Sequence, residues 1–247
     1  ASIEYYAIPK SQMPDQMLIG AEVYNYGYND EDGVSLLGMI DGEGIYLPSP
    51  TLNYEGTIDP DSTEYIESEY FDISMLEAGT YTFTADIISS GTDVLLSDNG
   101  LSREFLITEN VYALDGLYEN NDLVGTGVPG GDNNADGVKI ANYFDIKQNT
   151  TLSSIRMDLY TGTYETSLGT FETAPGGELI AYVCDTTGIF DPNVTELGPE
   201  LGGVIWYSDF YLVSEDDVDN GQIVIDADDF ELPVGAYYIM IEMYSNG

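Results

Sequence analysis

The pattern of apolar and polar positions repeats once along the chain, in two stretches that begin 156 residues apart. Residues 76–87 read Leu-Glu-Ala-Gly-Thr-Tyr and then alternate, and residues 232–243 read Leu-Pro-Val-Gly-Ala-Tyr before a similar alternation. A period of two places alternate residues on one face of a strand. Each copy is therefore predicted to be a half-buried β-strand that follows a glycine turn. The residues that share the apolar face are Tyr81, Phe83, Ala85 and Ile87 in one copy, and Tyr237, Ile239, Ile241 and Met243 in the other.

The tyrosine of each copy follows the glycine by two positions, at Tyr81 and at Tyr237. Sandwich domains place a tyrosine corner at such a position, with the ring in the core and the hydroxyl bonded back to the preceding loop. We expect this arrangement in both copies. Two such strands predict two β-sandwich domains.

Residues 1–108 contain seven short alternating runs and no helical period of useful length. The second run places Ile19, Ala21, Val23 and Asn25 on one face. Seven short strands separated by turn residues predict an immunoglobulin-like sandwich. The predicted strands are 3–8, 17–26, 34–46, 52–58, 65–73, the strand that holds Tyr81, and 101–107.

Residues 109–247 contain at least six further strands and long loops, which predict a jelly-roll-like sandwich. The first two of these strands are expected to pair with each other across residues 147–150. The chain stops soon after its last strand, so we expect this domain to be truncated and more sequence to follow. The fold class predicted is all-β, with two tandem β-sandwich domains. The six strands are 138–146, 151–160, 178–184, 204–213, 221–225 and the strand that holds Tyr237.

Three segments resemble immunoglobulin-like adhesion modules of the CARDB type: residues 17–27, Met-Leu-Ile-Gly-Ala-Glu-Val-Tyr-Asn-Tyr-Gly, residues 34–40, Val-Ser-Leu-Leu-Gly-Met-Ile, and residues 76–83, Leu-Glu-Ala-Gly-Thr-Tyr-Thr-Phe. Asn25-Tyr26-Gly27 matches the Asn-x-Gly that such modules carry after their second strand. Residues 141–155 are similar to modules beside these domains in Bacteroidota surface proteins exported by the type IX secretion system. The resemblance implies an extracellular or cell-surface location and an adhesive role.

Charge is the most unusual feature of the composition, because 45 Asp and Glu stand against five Lys and Arg, a formal net charge of −40. This charge repels nucleic acid and anionic membranes, so we expect neither nucleic-acid binding nor membrane insertion. Self-repulsion is screened over about 8 Å at physiological salt and about 3 Å at 1 M. The acidity predicts either a salty habitat or bound divalent cations, with a solubility device as the alternative.

The chain contains no His and a single Cys, Cys184. This composition excludes a Ser-His-Asp triad, a Cys-His dyad, a histidine zinc site and an intrachain disulfide. Cys184 lies in an apolar run and is predicted to be a buried small hydrophobe. We expect no enzyme activity.

The sharpest local motif is Asp132-Asn-Asn134-Ala-Asp136-Gly137. Its spacing places three side-chain oxygens on one side of a tight loop, as in the first half of an EF-hand calcium loop. The second half is missing, so another loop would have to supply a carboxylate, with Glu119 and Asp122 as candidates. The alternative is a polar turn without calcium.

Three other carboxylate clusters could serve a hard cation, or act as the acid and base of a glycosidase. Solvated loops are the alternative, and nothing distinguishes one pair as catalytic. The clusters are residues 30–32, residues 215–217 with Asp219, and Asp226 with Asp228 and Asp229.

Several of the 21 tyrosines are predicted to lie opposite the apolar face of a strand or in loops. Exposed rings there could stack on sugars or anchor a protein interface. The only tryptophan, Trp206, is predicted to be a core residue rather than a ligand platform. The tyrosines in question are Tyr5, Tyr6, Tyr26, Tyr28, Tyr54, Tyr160, Tyr164, Tyr207 and Tyr211.

Three functions remain open at this point. The leading hypothesis is a non-enzymatic structural and adhesive segment of a large secreted bacterial protein, which contributes to an extracellular appendage, filament or adhesin. Its partners would be other copies or modules of the same assembly. The alternative is a carbohydrate-binding accessory module that contacts cell-surface glycans. The third is an enzyme that works through two carboxylates.

Overall fold

The computed structural model describes residues 5–91, 96–114, 137–159, 163–166, 169–187 and 203–244. These residues are mostly β-strand, with one short α-helix and two 3-10 turns, which confirms the all-β class. The chain divides into two compact units, unit 1 (Ala1–Leu117) and unit 2 (Tyr118–Gly247). The domain boundary at residues 108 and 109 stays a prediction.

The strands of unit 1 are β1 (Ala7–Pro9), β2 (Gln16–Met17), β3 (Gly20–Tyr24), β4 (Ser35–Gly42), β5 (Ile45–Pro48), β6 (Leu52–Asn53), β7 (Thr63–Glu67), β8 (Phe71–Asp72), β9 (Gly79–Ile88) and β10 (Gly100–Thr108), with 3-10 turns at Lys10–Gln12 and Leu96–Asp98. They include a mixed sheet in the order β1-β10-β9-β4-β5, with β6 beside β4. β1 runs parallel to β10, and the other ladders are antiparallel. The adjacency β4-β9-β10 and the separate β3–β7 ladder correspond to the C-F-G and B-E pairings of an immunoglobulin-type sandwich.

The core of unit 1 joins the large sheet to the small ladders. Leu36 and Ile40 of β4 and Tyr81 of β9 share one buried cluster with Ile66 of β7 and Phe71 of β8. Residues from both layers therefore remove their apolar surface from water together, which is the main favourable contribution to folding.

Two predicted strands, 17–26 and 65–73, are each broken in the middle. At the break the Ser68 hydroxyl accepts a 2.9 Å hydrogen bond from the Ile19 amide, and the Ser68 amide donates to the Ile19 carbonyl at 2.7 Å. The serine hydroxyl thus takes the place of a backbone carbonyl as hydrogen-bond acceptor. The ladder is thereby divided into two shorter ladders, β2–β8 and β3–β7. The predicted strand 52–58 is only two residues long, and Ile58 instead bridges Glu31.

The strands of unit 2 are β11 (Val138–Ile146), β12 (Thr150–Asp158), β13 (Thr163–Thr166), β14 (Gly169–Glu172), β15 (Glu178–Asp185), β16 (Val204–Tyr207), β17 (Tyr211–Leu212), β18 (Gln222–Leu232) and β19 (Gly235–Tyr244), and the helix is α1 (Glu215–Asn220). They form a sheet in the order β11-β19-β15-β16, in which β17 also pairs with β15, a separate β12–β18 ladder and a β13–β14 hairpin. The jelly-roll assignment of this unit stays a prediction.

The predicted pairing between strands 138–146 and 151–160 is wrong. β11 pairs with β19 along nine residues, from Val138 opposite Met243 to Ile146 opposite Gly235, and β12 pairs with β18. Although the two strands are neighbours in sequence, the chain passes from one sheet to another between them. Periodicity predicts that a segment is a strand and which residues share a face, but it does not select the partner.

Both predicted tyrosine corners are confirmed. The Tyr81 hydroxyl donates to the Glu77 carbonyl at 3.0 Å, and the Tyr237 hydroxyl donates to the Pro233 carbonyl at 3.0 Å. Both rings are buried. Each tyrosine strand, β9 or β19, lies in the interior of its sheet with an antiparallel neighbour on either side.

β9 and β19 differ in the burial of the face opposite to the tyrosine. β9 is half-buried as predicted, because Phe83, Ala85 and Ile87 pack against the core while Asp86 is exposed. β19 is buried on both faces, since Met240 and Glu242 are covered as well as Tyr237. Met240 belongs to a second cluster with Ile180, Tyr182 and Cys184 of β15, which confirms that the lone cysteine is buried.

Candidate functional site

The predicted calcium ligands Asp132, Asn134 and Asp136 lie outside the described residues, as do Glu119 and Asp122. The following Gly137 is described. Its φ is 77°, in the left-handed region that a tight turn requires of glycine, and its amide donates to the Met243 carbonyl at 2.9 Å. The calcium ligands stay a prediction.

The cluster at residues 215–217 is the first turn of helix α1, which the sequence analysis did not predict. Ser214 and Asp217 form a capping box, in which the Asp217 amide donates to the Ser214 hydroxyl and the Ser214 amide donates to the Asp217 carboxylate at 2.8 Å. The spacing Ser-x-x-Asp is a known start signal of a helix and could have located it. Within this cluster, the Asp217 carboxylate therefore caps the start of the helix.

Asp217 also accepts a 2.8 Å hydrogen bond from the Tyr211 hydroxyl. Burial acts to raise the pKa of Asp217, but the hydrogen bonds from Ser214 and Tyr211 outweigh it, so the pKa lies below its ordinary value. The aspartate thereby fixes the Tyr211 ring beside strand β18.

The cluster at residues 30–32 joins two loops. Glu31 exchanges backbone hydrogen bonds of 3.0 Å with Ile58, and the Asp32 carboxylate accepts from the Thr57 hydroxyl at 2.7 Å. The Glu31 Oε2 atom is buried and has no hydrogen-bond partner in the described part of the chain. Across the described ranges, no group of three or more His, Cys, Asp or Glu residues is arranged to hold a metal ion.

The cluster of Asp226, Asp228 and Asp229 forms a bulge in β18. Asp228 and Asp229 both have positive φ, 52° and 54°, which non-glycine residues rarely adopt. Local contacts hold them there, because the Asp228 amide donates to the Asp226 carboxylate and the Ser153 hydroxyl donates to Asp229. Asp229 is therefore bonded to β12, and all three aspartates are exposed.

An open groove of about 460 Å³ lies beside this bulge. It is bordered by the segment Trp206–Tyr211 and by Val224, Ile225, Asp226 and Asp228 of β18. Trp206 is half-buried rather than fully buried in the core: its ring lies 6.4 Å from that of the half-buried Phe230, and it also lines the groove.

The tyrosines predicted to lie outside the core fall into two groups. Tyr26, Tyr28 and Tyr207 are exposed, at 83%, 98% and 67%. Half-buried positions are held by Tyr5, Tyr6, Tyr54 and Tyr211, while Tyr160 and the side chain of Tyr164 lie outside the described residues.

Sequence reasoning missed the exposed Tyr65, which is part of an aromatic surface on unit 1. This tyrosine face consists of Tyr24, Tyr26 and Tyr65 on the solvent side of the β3–β7 ladder. The Tyr24 and Tyr26 rings lie 4.1 Å apart, and the Tyr65 ring covers Gly20, where an added Cβ would lie 2.1 Å from its hydroxyl. The register that places Tyr65 diagonal to Gly20 could not be predicted from the sequence.

Carboxylates surround the tyrosine face. The Tyr24 hydroxyl donates to Asp61, and this hydrogen bond, with a smaller contribution from burial, raises the pKa of Tyr24. Burial, followed by a hydrogen bond to Glu67, raises the pKa of Tyr65. The face is therefore both aromatic and acidic.

The few cations of the chain are used in internal contacts. Lys139 pairs with Glu242 at 3.4 Å, Arg156 pairs with Asp158 at 2.7 Å, and Lys147 pairs with Asp145. The Lys10 ammonium donates to the backbone carbonyls of residues 74 and 76. These contacts leave no basic cluster among the described residues of the kind that would bind phosphates.

No protein-family model matches the chain, and no curated protein does. Among solved structures, the chain is similar to a crystal structure described as calcium binding domain CBD12 of CALX1.1. The sequence identity is 12% and the TM-score is 0.26, over 98% of this chain and 73% of that one. A TM-score this low supports no statement about the present chain. None of the helices in the described ranges has the length and apolar character needed to cross a bilayer.

Proposed function

We propose that this chain is a non-enzymatic structural and adhesive segment of a large secreted or cell-surface bacterial protein. Its partners would be other copies or modules of the same extracellular assembly. The observation that carries the proposal is the tyrosine face, together with the two-stranded ladder that presents it. In the described part of the chain, neither β3 nor β7 has a second neighbouring strand.

Open strand edges and exposed rings are both suited to association. An edge strand presents unpaired amide and carbonyl groups to a further strand. Tyrosine supplies a large contact area at low cost in side-chain entropy, and Tyr26 and Tyr65 are 83% and 59% exposed. Glu22 and Glu67 share this face, so two copies would bring like charges together. Association between copies is therefore expected to need salt or a divalent cation.

The test is the oligomeric state of the purified chain by sedimentation velocity and light scattering. The screening length falls from about 10 Å at 0.1 M salt to about 3 Å at 1 M. We expect oligomers at high NaCl that dissociate at low NaCl. The double variant Tyr24→Ser, Tyr65→Ser should abolish them.

The matched control is Tyr46→Ser, which removes a ring of β5 that is 68% exposed, away from the tyrosine face. The control should assemble as the wild type does. A monomer at every concentration and salt level would contradict the proposal, and so would equal loss of assembly in the control.

Calcium at Asp132, Asn134 and Asp136 is a separate part of the proposal, and it is supported by the sequence motif. Thermal melts with calcium and with a chelator, both at high NaCl, test it because general screening is then already complete. We expect calcium to raise the melting temperature of the wild type but not of the double variant Asp132→Asn, Asp136→Asn. An equal rise in both would show that the loop is a polar turn.

A further inference from the structure

The groove in unit 2 lies where the edge of the sheet approaches the edge of the β12–β18 ladder. One wall is the segment Trp206–Tyr211, the outermost part of the sheet beside β15, and the other is the exposed side of β18. Ligand sites in proteins are concave and combine apolar and aromatic walls with a few polar groups. This groove has that composition, with the aromatic residues Trp206 and Tyr211 in one wall and Asp226 and Asp228 in the other.

A β-bulge shapes the aromatic wall. Four residue steps separate Tyr207 from Tyr211, but only three separate their partners Tyr182 and Leu179 on β15. Ser208 holds the extra residue in place, because its hydroxyl accepts from the Ala181 amide at 3.0 Å and its amide donates to the Ala181 carbonyl at 2.9 Å. Beyond the bulge, Tyr211 lies on the same face of the sheet as Trp206, whereas the Phe210 ring lies 5.7 Å from the Tyr244 ring on the other face.

A second bulge shapes the acidic wall. Four steps separate Asp226 from Phe230 on β18, whereas two separate their partners Ser154 and Leu152 on β12. Bulges redirect side chains and are frequent beside binding sites. The two bulges are independent in sequence and border the same groove.

The charge of the lining decides which ligands can bind. Among the described residues, the lining includes carboxylates and neither Lys nor Arg, and the chain carries a net charge of −40. An anionic ligand would be repelled. An organic cation would compete at each exposed carboxylate with the inorganic counterions that this charge already attracts, and salt would weaken it further. A neutral ligand with an apolar face and several hydroxyl donors has neither disadvantage.

We propose that this groove binds a neutral saccharide. The apolar face of a sugar ring lies against the Trp206 and Tyr211 rings, and its hydroxyls donate to the Asp226 and Asp228 carboxylates, which accept hydrogen bonds only. Tyr211 is held in place for this contact by Asp217. The proposal goes beyond the assembly role of unit 1 and does not depend on it.

The test is native affinity electrophoresis of the monomeric chain at low salt, in gels that contain a neutral polysaccharide (a β-glucan, a mannan or a galactan) or the anionic polysaccharide alginate. We expect retardation by at least one neutral polysaccharide and none by alginate. Trp206→Ala and Asp228→Asn should each weaken binding about tenfold or more, which corresponds to about 1.4 kcal/mol. Asn tolerates a positive φ, so the second variant keeps its fold.

Tyr46→Ala, which removes an exposed ring of unit 1, serves as the control and should bind as the wild type does. Three results would overturn the proposal: no retardation by any neutral polysaccharide, retardation that neither groove variant changes, or binding of oligolysine, but of no sugar, that the variants abolish. Because the monomer is tested at low salt, the result does not depend on whether unit 1 assembles.

Discussion

The hydroxyl of Tyr81 donates a hydrogen bond of 3.0 Å to the carbonyl oxygen of Glu77, four residues earlier in the chain. The bond closes the loop before β9 while the ring packs in the core of unit 1. Tyr237 makes the same bond to Pro233 in unit 2. The same local device thus attaches the approach to a central strand in both units.

Tyr81→Phe should lower the free energy of unfolding by about 0.5–1.5 kcal/mol, the net value of a typical hydrogen bond, because the ring contacts remain. Urea denaturation followed by fluorescence measures the change. Tyr46→Phe is the control, since its exposed ring makes no comparable contact with the core. Equal stability of Tyr81→Phe and the wild type would show that the bond contributes nothing.

Asn25 explains the Asn-x-Gly motif of unit 1. Its buried side chain donates to the Asn29 and Ile58 carbonyls at 2.8 and 2.9 Å and accepts from the Gly27 amide at 2.8 Å. A Cβ on Gly27 would lie 2.9 Å from the Asn25 Oδ1 atom, so glycine is needed there.

Asn25→Ala should destabilise unit 1 by about 2 kcal/mol or more, because buried polar groups that lose a partner cost about 1–3 kcal/mol each. Chemical denaturation at constant m-value measures this loss. Asn29→Ala is the matched control, since Asn29 contributes its backbone carbonyl, which the substitution retains. A similar loss in both variants would show that the Asn25 amide has no special role.

The lowered pKa of Asp217 predicts that the protein loses stability in acid. Its pKa is lowered, so its stabilising effect is complete above the ordinary value of 3.8 and is lost as the pH falls through the lower folded-state value. Asp217→Asn should cost roughly 1 kcal/mol at pH 7, and the difference from the wild type should shrink in acid. Thermal melts of the wild type and of Asp217→Asn, from pH 7 to below pH 3.8, measure this difference in stability. The substitution Asp216→Asn, at an exposed neighbour, is the control. A difference independent of pH would contradict the prediction.

The raised pKa of Tyr182 predicts that the protein loses stability in alkali. Its hydroxyl donates to the buried Glu242 carboxylate at 2.8 Å, and burial, followed by that carboxylate, raises the pKa of Tyr182. Its contribution is therefore complete below the ordinary tyrosine pKa of about 10 and is lost as the pH rises above it.

Tyr182→Phe should be less stable than the wild type at pH 7, because Glu242 loses a donor, and the gap should narrow above pH 10. Thermal melts from neutral to alkaline pH measure the gap. The exposed Tyr207→Phe should leave the wild-type profile unchanged. A constant gap across this range would exclude ionisation of Tyr182 as its cause.

The sequence alone determined those features that depend on neighbours a few residues away. The alternation after Gly79 predicted which residues of β9 face the core, because side-chain direction in a strand follows position. Both tyrosine corners were predictable for the same reason, since donor and acceptor lie four residues apart. The capping box of Ser214 and Asp217 is equally local and could have been predicted.

Only the tertiary structure decided which strands pair and which side chains meet. β11 pairs with β19, whose residues lie 89 to 105 positions away from their partners, rather than with β12, because the partner is selected by contacts that local patterning does not encode. The same applies to Tyr65 above Gly20 and to the groove between Trp206 and Asp228. The register of the β3–β7 ladder and the two bulges beside the groove determine which of these side chains lie close together. Register and bulges arise only when residues distant in sequence pack together.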